Sequence, residues 1–145
     1  AGRVTLICRM GADKISSILP SIVKKVKENG STVVWACDPM HGNTIKSSTG
    51  YKTRPLNNII SEIEYFFKIH RSEGTYPGGI HLEMTGQDVT ECIGGIKEVT
   101  EDDLNSRYHT FCDPRLNASQ SLELAFLLSD FLKDERIRLQ QTSNL

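Results

Sequence analysis

The hydrophobic and polar positions of this chain repeat in three cycles. Each cycle is an apolar run followed by an amphipathic segment. The first run, Val4 to Cys8, is almost continuously apolar, which is typical of a strand covered on both faces of a parallel sheet. Apolar residues then recur three and four positions apart over 15–26, which predicts an amphipathic helix that ends at Asn29-Gly30. The first cycle therefore predicts one strand followed by one helix.

The second cycle repeats this order with a longer connection. Thr32 to Cys37 predicts a second strand, and a polar loop rich in glycine and serine runs from Gly42 to Arg54. Apolar residues at helical spacing over 56–69 predict the second helix.

The third cycle contains the longest loop. Gly78 to Glu83 predicts the third strand, and a loop over 85–117 follows, with a helical turn expected near Thr100 to Leu104. Leucine and phenylalanine dominate 122–132, which predicts the last helix, and we expect the polar tail after Lys133 to fray. Loops of this length are uncommon in compact domains and are usually functional.

Threefold alternation of strand and helix predicts an α/β fold with parallel strands and right-handed crossovers. Three such units leave two bare sheet edges, which favours three units of an eight-unit TIM barrel; a small open doubly wound sheet is the alternative. The length of 145 residues suits one domain. Because the chain enters a strand almost directly after Ala1, we expect it to be a piece of a longer protein.

Composition excludes several classes of function. The formal net charge of −1 predicts no general attraction to nucleic acid or to anionic membranes. No apolar run approaches the roughly 20 residues that span a bilayer. The four cysteines are widely spaced, and we interpret Cys8 and Cys37 as buried free thiols rather than as parts of a disulfide framework.

Polar side chains follow all three predicted strands, at the ends where βα folds bind ligands. His41 and Glu83 are metal-capable residues at two of these ends, and Asp113 lies before a proline after the long loop. One imidazole and two carboxylates that meet at one rim form a typical divalent-metal site. For Asp113, a turn or an N-cap of the last helix is the alternative.

Several basic residues are candidates for binding anionic groups at the same rim. Arg9 ends the first strand, and its planar fork suits phosphate or carboxylate. Lys52 and Arg54 precede the second helix and are candidates for a second phosphate, with a solvated basic loop as the alternative. Arg115 is a further candidate of the same type.

The remaining histidines are weaker candidates for a functional site than His41. Alternation along the third strand places His81 on the same side as Glu83, so it is a candidate to support a metal ligand, or it is simply hydrogen-bonded in a polar interior. His70 and His109 have no comparable context, and we interpret them as packing or surface residues.

At these residues the chain resembles a known family, the type II 3-deoxy-D-arabino-heptulosonate 7-phosphate (DAHP) synthases. The resemblance runs from Gly2-Arg3 to the last helix, and it implies the C-terminal part of that enzyme, the last three βα units of its TIM barrel. The motifs that carry it are Cys37-Asp38-Pro39-Met40-His41-Gly42-Asn43-Thr44, Lys52-Thr53-Arg54, Gly78-Gly79-Ile80-His81-Leu82-Glu83-Met84-Thr85-Gly86, Val89-Thr90-Glu91-Cys92-Ile93-Gly94-Gly95 and Cys112-Asp113-Pro114-Arg115-Leu116-Asn117.

The resemblance implies a condensation of phosphoenolpyruvate with erythrose 4-phosphate, which releases phosphate and opens the shikimate pathway to aromatic amino acids. His41, Glu83 and Asp113 would be three of four metal ligands, and Arg9 would hold phosphoenolpyruvate. The fourth ligand, a cysteine, and further substrate contacts would lie upstream of this chain. Mn²⁺ is the expected ion, with Co²⁺ or Zn²⁺ as alternatives. The family implies a homo-oligomer in the bacterial cytoplasm or in plant plastids.

Two other functions compete with this interpretation. The first is a non-catalytic metal- or phosphate-binding module that retains the rim of such a barrel. The second is a metal-dependent hydrolase or aldolase on a similar barrel, against which the Asp38–Thr44 run and the Lys52-Thr53-Arg54 motif argue.

Overall fold

The computed structural model describes residues 2–143, with the side chains described through residue 141. Within these residues the structure has five strands and three α-helices. The strands are β1 (Thr5–Cys8), β2 (Val34–Cys37), β3 (Ile45–Lys46), β4 (Lys52–Thr53) and β5 (Pro77–Ile80), and the helices are α1 (Ile15–Glu28), α2 (Leu56–Ser72) and α3 (Ala118–Ser143).

A three-stranded parallel sheet in the order β1-β2-β5 confirms the predicted α/β class. In the strand register, Cys8 lies opposite Cys37, and Cys37 lies opposite Ile80, so the three strands end at one level. The ladder continues one step further, because the Asp38 amide donates to the Cys8 carbonyl at 2.6 Å and the His81 amide donates to the Cys37 carbonyl at 2.7 Å. The residues that follow the strands therefore leave the sheet at a shared edge.

Helices α1 and α2 pack against each other and against one face of this sheet. Trp35 and Cys37 point into the core on that face, whereas Ile7 and Val34, on alternate positions, are 53% and 36% exposed. The prediction that the strands are covered on both faces is thus wrong for the described residues, because these supply helices to one face only. The core contains Ile15, Leu19 and Val23 of α1, Leu56, Ile59, Ile63 and Phe66 of α2, and Leu124 of α3.

Two connections differ from the sequence prediction. The polar loop after β2 contains the hairpin β3–β4, whose two residue pairs are too few to give a periodic signal. The third strand ends at Ile80 and does not reach Glu83, since the chain leaves β2 there and bonds to Leu116 instead. The Leu116 amide donates to the Glu83 carbonyl at 3.0 Å, and the Thr85 amide donates to the Leu116 carbonyl at 2.9 Å.

The last helix begins with a capping box. The Asn117 side chain accepts from the Gln120 amide at 2.9 Å, and the Gln120 side chain accepts from the Asn117 amide at 3.1 Å. The expected fraying after Lys133 is wrong for the described residues, since α3 continues to Ser143. Buried Glu135 binds Arg71 at 2.7 Å and Arg138 at 2.9 Å, which ties this end of α3 to α2.

The long loop over 85–117 contains turns and isolated bridges. Near the expected helical turn, the amides of Asp103 and Leu104 donate to the carbonyls three residues earlier, at 3.3 and 3.4 Å. Leu104 is fully buried and anchors this turn. None of the described helices combines the length and the apolar composition that a membrane crossing requires.

Candidate metal centre

His41 is placed by a turn that directly follows β2. The chain bends at Asp38-Pro39-Met40 into a short 3-10 helix, His41–Asn43. Asp38 Oδ1 accepts from the amides of Met40 and His41 at 3.0 and 3.2 Å, and Asp38 Oδ2 lies 2.6 Å from His41 Nδ1. Burial of Asp38 by itself raises the pKa of its carboxyl, but these hydrogen bonds outweigh it and bring the pKa below its usual value.

The ionised Asp38 fixes the tautomer of His41. The Nδ1–H group donates a hydrogen bond to the carboxylate, so Nε2 keeps a free lone pair, as in most histidines that bind metals. His41 Nε2 lies 3.6 Å from Glu83 Oε1 and 3.8 Å from Asp113 Oδ2. The ligand atoms of these three residues all lie within 4.8 Å of one another.

This donor set fits a divalent transition-metal ion. Two ligands bound at about 2.1 Å to one ion lie roughly 3.0 to 4.2 Å apart, so small side-chain shifts bring all three atoms onto one ion. One imidazole nitrogen and two carboxylate oxygens suit Mn²⁺, Co²⁺ or Zn²⁺. The side chains of His41, Glu83 and Asp113 are 25%, 29% and 23% exposed, which leaves the site open to solution. Among the described residues it is the one cluster of this kind.

Both carboxylates turn their second oxygen to a cation. Glu83 Oε2 accepts from Arg54 Nη1, and Asp113 Oδ1 lies 3.0 Å from Lys52 Nζ. Lys52 lowers the pKa of Asp113, chiefly through this hydrogen bond. Each carboxylate therefore presents one oxygen to His41 and holds the other in an ion pair.

A buried glutamate joins the loops after β1 and β2. Glu62 of α2 is fully buried and accepts from the amides of Met10 and Gly11 at 3.0 and 2.9 Å and from Asn43 Nδ2 at 2.7 Å. Burial raises the pKa of Glu62 above its usual value, although these hydrogen bonds oppose it. The loop that follows Arg9 and the 3-10 helix of His41 are thus held by one side chain.

The same two loops meet backbone to backbone. A Cβ added to Gly11 would lie 2.7 Å from the Gly42 carbonyl oxygen, and a Cβ added to Gly42 would lie 2.9 Å from Gly11 Cα. Gly11 also has a φ of 89°, in the region that favours glycine. Neither position accepts a side chain without movement of the other loop.

An ion pair between buried Glu91 and Arg115 supports the segment that contains Asp113. Glu91 is fully buried and accepts from the Arg115 guanidinium at 2.7 and 2.9 Å and from the Arg115 and His109 amides at 2.8 and 3.1 Å. Burial by itself raises the pKa of Glu91, but the bonds from Arg115 outweigh it and bring the pKa below its usual value. A cavity of about 400 Å³ opens beside Glu83 and Asp113, with Arg115 in its wall.

The structure brings together most of the predicted site residues. His41, Glu83 and Asp113 converge, with Lys52 and Arg54 in contact with the two carboxylates. The alternative of Asp113 as the N-cap of the last helix is wrong, because Asn117 caps α3. Arg9 is exposed directly after β1, and Arg115 is paired with Glu91.

The other histidines and the cysteines lie outside this cluster. His81 is exposed and is not one of the three clustered residues, and His109 is exposed as well. His70 is a packing residue, as one of the predicted alternatives has it. Its ring is buried 4.4 Å from that of Phe66 and 5.1 Å from that of Trp35, and burial lowers its pKa to about 4. All four cysteines are free: Cys8, Cys37 and Cys92 are buried, and Cys112 is exposed.

Two supporting carboxylates, Glu62 and Glu91, are not predicted from the sequence. Glu62 lies three positions after Ile59 and four before Phe66, on the apolar face of α2, and a charge on such a face is a usable sign of a buried partner. Glu91 lies in a loop without periodicity, so its burial leaves no comparable sign. Asp38 directly follows β2, but its control of the His41 ring depends on the turn geometry.

Comparison with known proteins identifies the family of this chain. The family model described as the class-II DAHP synthetase family matches residues 1–129. The chain is 56% identical over 133 residues to a phospho-2-dehydro-3-deoxyheptonate aldolase of Mycolicibacterium smegmatis, covering 92% of this chain and 29% of that protein. It is 56% identical over 134 residues to a protein of the same enzyme name from Streptomyces coelicolor, covering 92% of this chain and 30% of that protein. The chain thus spans under a third of the length of these relatives, and it belongs to the class-II DAHP synthetase family.

Proposed function

We propose that this chain is the C-terminal part of a DAHP synthase. The complete protein would condense phosphoenolpyruvate with erythrose 4-phosphate to give DAHP and phosphate, the first step of the shikimate pathway to aromatic amino acids. The observation that carries this proposal is the convergence of His41, Glu83 and Asp113 at the edge where the parallel strands end. Active sites of βα barrels form at that end of the strands.

The fold supports a barrel origin for residues 1–145. In our proposal they form the last three βα units of a TIM (β/α)8 barrel, and upstream units complete it. The parallel strands follow one another in chain order, and α1 and α2 cover the same face. A doubly wound sheet has helices on both faces. In a closed barrel, the open face that contains Ile7 and Val34 would become the packed interior.

Three side chains of this segment would hold the metal ion, which is Mn²⁺ in our proposal, with Co²⁺ or Zn²⁺ as alternatives. His41 Nε2, Glu83 and Asp113 supply the donors, and the fourth ligand comes from upstream, since Cys112 adjoins Asp113 and adjacent residues rarely both reach one ion. When bound, the ion supplies Lewis-acid polarisation of the aldehyde oxygen of erythrose 4-phosphate.

The cationic side chains would bind the anionic groups of the two substrates. Arg9 is exposed at the end of β1, and its guanidinium would hold phosphoenolpyruvate and orient the phosphate that leaves. Lys52 and Arg115 are the exposed or partly exposed candidates for the phosphate of erythrose 4-phosphate. Arg54, the third candidate, has a fully buried side chain.

The setting of the complete protein follows the family. A homo-oligomer in the bacterial cytoplasm is the proposed state, with plastids as the alternative for a plant source. The net charge of −1 gives no reason to add nucleic acid or membrane as a partner.

Metal analysis of the complete protein, combined with a phosphate-release assay, tests this proposal. We expect about one Mn²⁺ per protomer and phosphate release that requires both substrates, and we expect His41→Ala to lose both. His81→Ala is the matched control, because this exposed histidine lies outside the cluster. An unchanged metal stoichiometry in His41→Ala would remove His41 from the site. Metal binding by the wild type without phosphate release would instead favour a non-catalytic binding module.

A further inference from the structure

Arg54 contacts all three segments that contain the metal-capable residues. Its Nε donates to Thr44 Oγ1 at 2.8 Å, and its Nη1 donates to Glu83 Oε2 and to the Pro114 carbonyl at 2.6 Å. Thr44 directly follows the 3-10 helix of His41, and Pro114 directly follows Asp113. A single guanidinium therefore joins the surroundings of His41, Glu83 and Asp113.

The guanidinium is itself held in place and closed off from solvent. The side chain of Arg54 is 0% exposed, and its carbonyl accepts from the Ile93 amide at 3.1 Å. Its remaining nitrogen, Nη2, is buried without a hydrogen-bond partner among the described residues. A substrate phosphate would have to displace packed protein to reach it, whereas the Lys52 side chain is 58% exposed beside Asp113.

We propose that Arg54 is a positioning residue that assembles the metal centre and is not a ligand of a substrate phosphate. This inference rests on the proposed function, because it concerns the same metal site. Arg54 holds Glu83 Oε2, so that Oε1 faces His41 Nε2. It also fixes the backbone on the far side of Asp113 through the Pro114 carbonyl.

The charge of Arg54 and its positioning of Glu83 have opposite effects on metal affinity, so an experiment can distinguish the two. A positive guanidinium beside a divalent cation repels it, so electrostatics alone predicts that removal of Arg54 tightens metal binding. A positioning role predicts the reverse, because Glu83 is then free to rotate and the Pro114 carbonyl loses its donor. Arg54→Lys keeps the charge and removes the fork that spans the three segments.

The test is a Mn²⁺ titration of the complete protein, followed by electron paramagnetic resonance, for the wild type, Arg54→Lys and Lys68→Ala. We expect Arg54→Lys to raise the Kd of Mn²⁺ about 10- to 100-fold, the range seen when partners of metal ligands are changed. Lys68→Ala is the control, because it removes an exposed cation of α2 that pairs with Glu64 and contacts none of the three metal-capable residues. We expect it to change the Kd of Mn²⁺ by less than about threefold.

The outcomes separate the two roles. Wild-type Mn²⁺ affinity in Arg54→Lys, together with a raised KM for erythrose 4-phosphate, would make Arg54 a phosphate ligand and overturn the inference alone. A wild-type protein that binds no Mn²⁺ would overturn the proposed function as well. Should Arg54→Lys fail to fold, Thr44→Val removes the acceptor of Nε together with the weaker hydrogen bond that the Thr44 hydroxyl donates to the Met40 carbonyl at 3.3 Å. A Kd for Mn²⁺ unchanged by Thr44→Val would likewise overturn the inference.

Discussion

Asp38 and His41 form a carboxylate–imidazole pair in which Oδ2 lies 2.6 Å from Nδ1, on the side of the ring opposite the metal-capable carboxylates. This pair decides which ring nitrogen has the lone pair. The backbone of the same turn depends on the other oxygen, Oδ1, which accepts from the Met40 and His41 amides. The two functions of Asp38 are therefore separable by mutation.

Asp38→Asn is expected to raise the Kd of Mn²⁺ about 10- to 100-fold in the complete protein while the fold is retained. The asparagine oxygen still accepts from the two amides, but its NH₂ group faces His41 Nδ1 and drives the ring proton to Nε2. Isothermal titration with Mn²⁺ measures the change, and Asp130→Asn, on the exposed side of α3, is the control. Unchanged affinity in Asp38→Asn would mean that the tautomer of His41 is set elsewhere.

Gly42→Ala is expected to lower both the melting temperature and the affinity for Mn²⁺. The new methyl group would approach Gly11 Cα to within 2.9 Å, so one of the two loops has to move, at about 1–3 kcal/mol of unfolding free energy. Because His41 adjoins Gly42, the ligand moves with the backbone. Gly86→Ala is the matched control, since a Cβ there meets no atom within 4 Å and its φ is not positive. Equal melting temperatures for the two variants would contradict the close approach.

Glu91→Gln is expected to destabilise the complete protein at pH 7 by about 2–3 kcal/mol, because it breaks the ion pair of a buried carboxylate. The loss is smaller than for a fully buried pair, because the partner Arg115 is 31% exposed. The pKa of Glu91 is lowered in the folded state, so its stabilising contribution is present above the unfolded pKa of about 4.3 and is lost as the pH falls through the folded pKa. Denaturant unfolding at pH 7 and at pH 3 measures the difference.

The difference in unfolding free energy between the wild type and Glu91→Gln is expected to disappear at pH 3. Asp88→Asn, which touches an exposed pair with Lys97, is the control and should change the stability little at either pH. Glu62 acts in the opposite direction, because its raised pKa makes its contribution decline as the pH rises from the unfolded pKa through the folded one. A difference that is constant with pH would show that Glu91 does not titrate with folding.

The isolated 145-residue chain is expected to show little or no synthase activity. It leaves one sheet face uncovered at Ile7 and Val34, and in our proposal one metal ligand and several substrate contacts lie upstream. A phosphate-release assay with both substrates and Mn²⁺ tests this, with the complete protein as the reference. Substantial turnover by the isolated chain would refute it.

Sequence patterns predicted what depends on periodicity and strand ends. The parallel order and the helices α1 and α2 follow from apolar spacing, and the position of His41 follows from the rule that strand ends share an edge. The approach of Asp113 to Glu83 depends also on the pairing of Leu116 with the segment after β5, which spacing does not predict. Burial on a single face was not predictable from β1 and β2, because an apolar run looks the same whether its second face is packed within this chain or elsewhere.

The supports of the site were harder to predict, because they depend on long-range contacts. Arg54 lies 29 residues from Glu83 along the chain, and nothing in its local sequence separates a buried guanidinium from a solvated one. Likewise, Glu91 meets Arg115 across 24 residues of irregular loop. The length of α3 was underestimated because the buried contact of Glu135 with Arg71 compensates for its polar composition.

The Gly11–Gly42 contact, with Glu62 beneath it, couples the loops that follow β1 and β2. An insertion or a bulkier residue in either loop displaces the other. Arg9 and His41, which our proposal assigns to phosphoenolpyruvate and to the metal ion, therefore move together, so remodelling one loop to accept a different substrate is expected to change metal affinity unless both loops and Glu62 are redesigned in a single step.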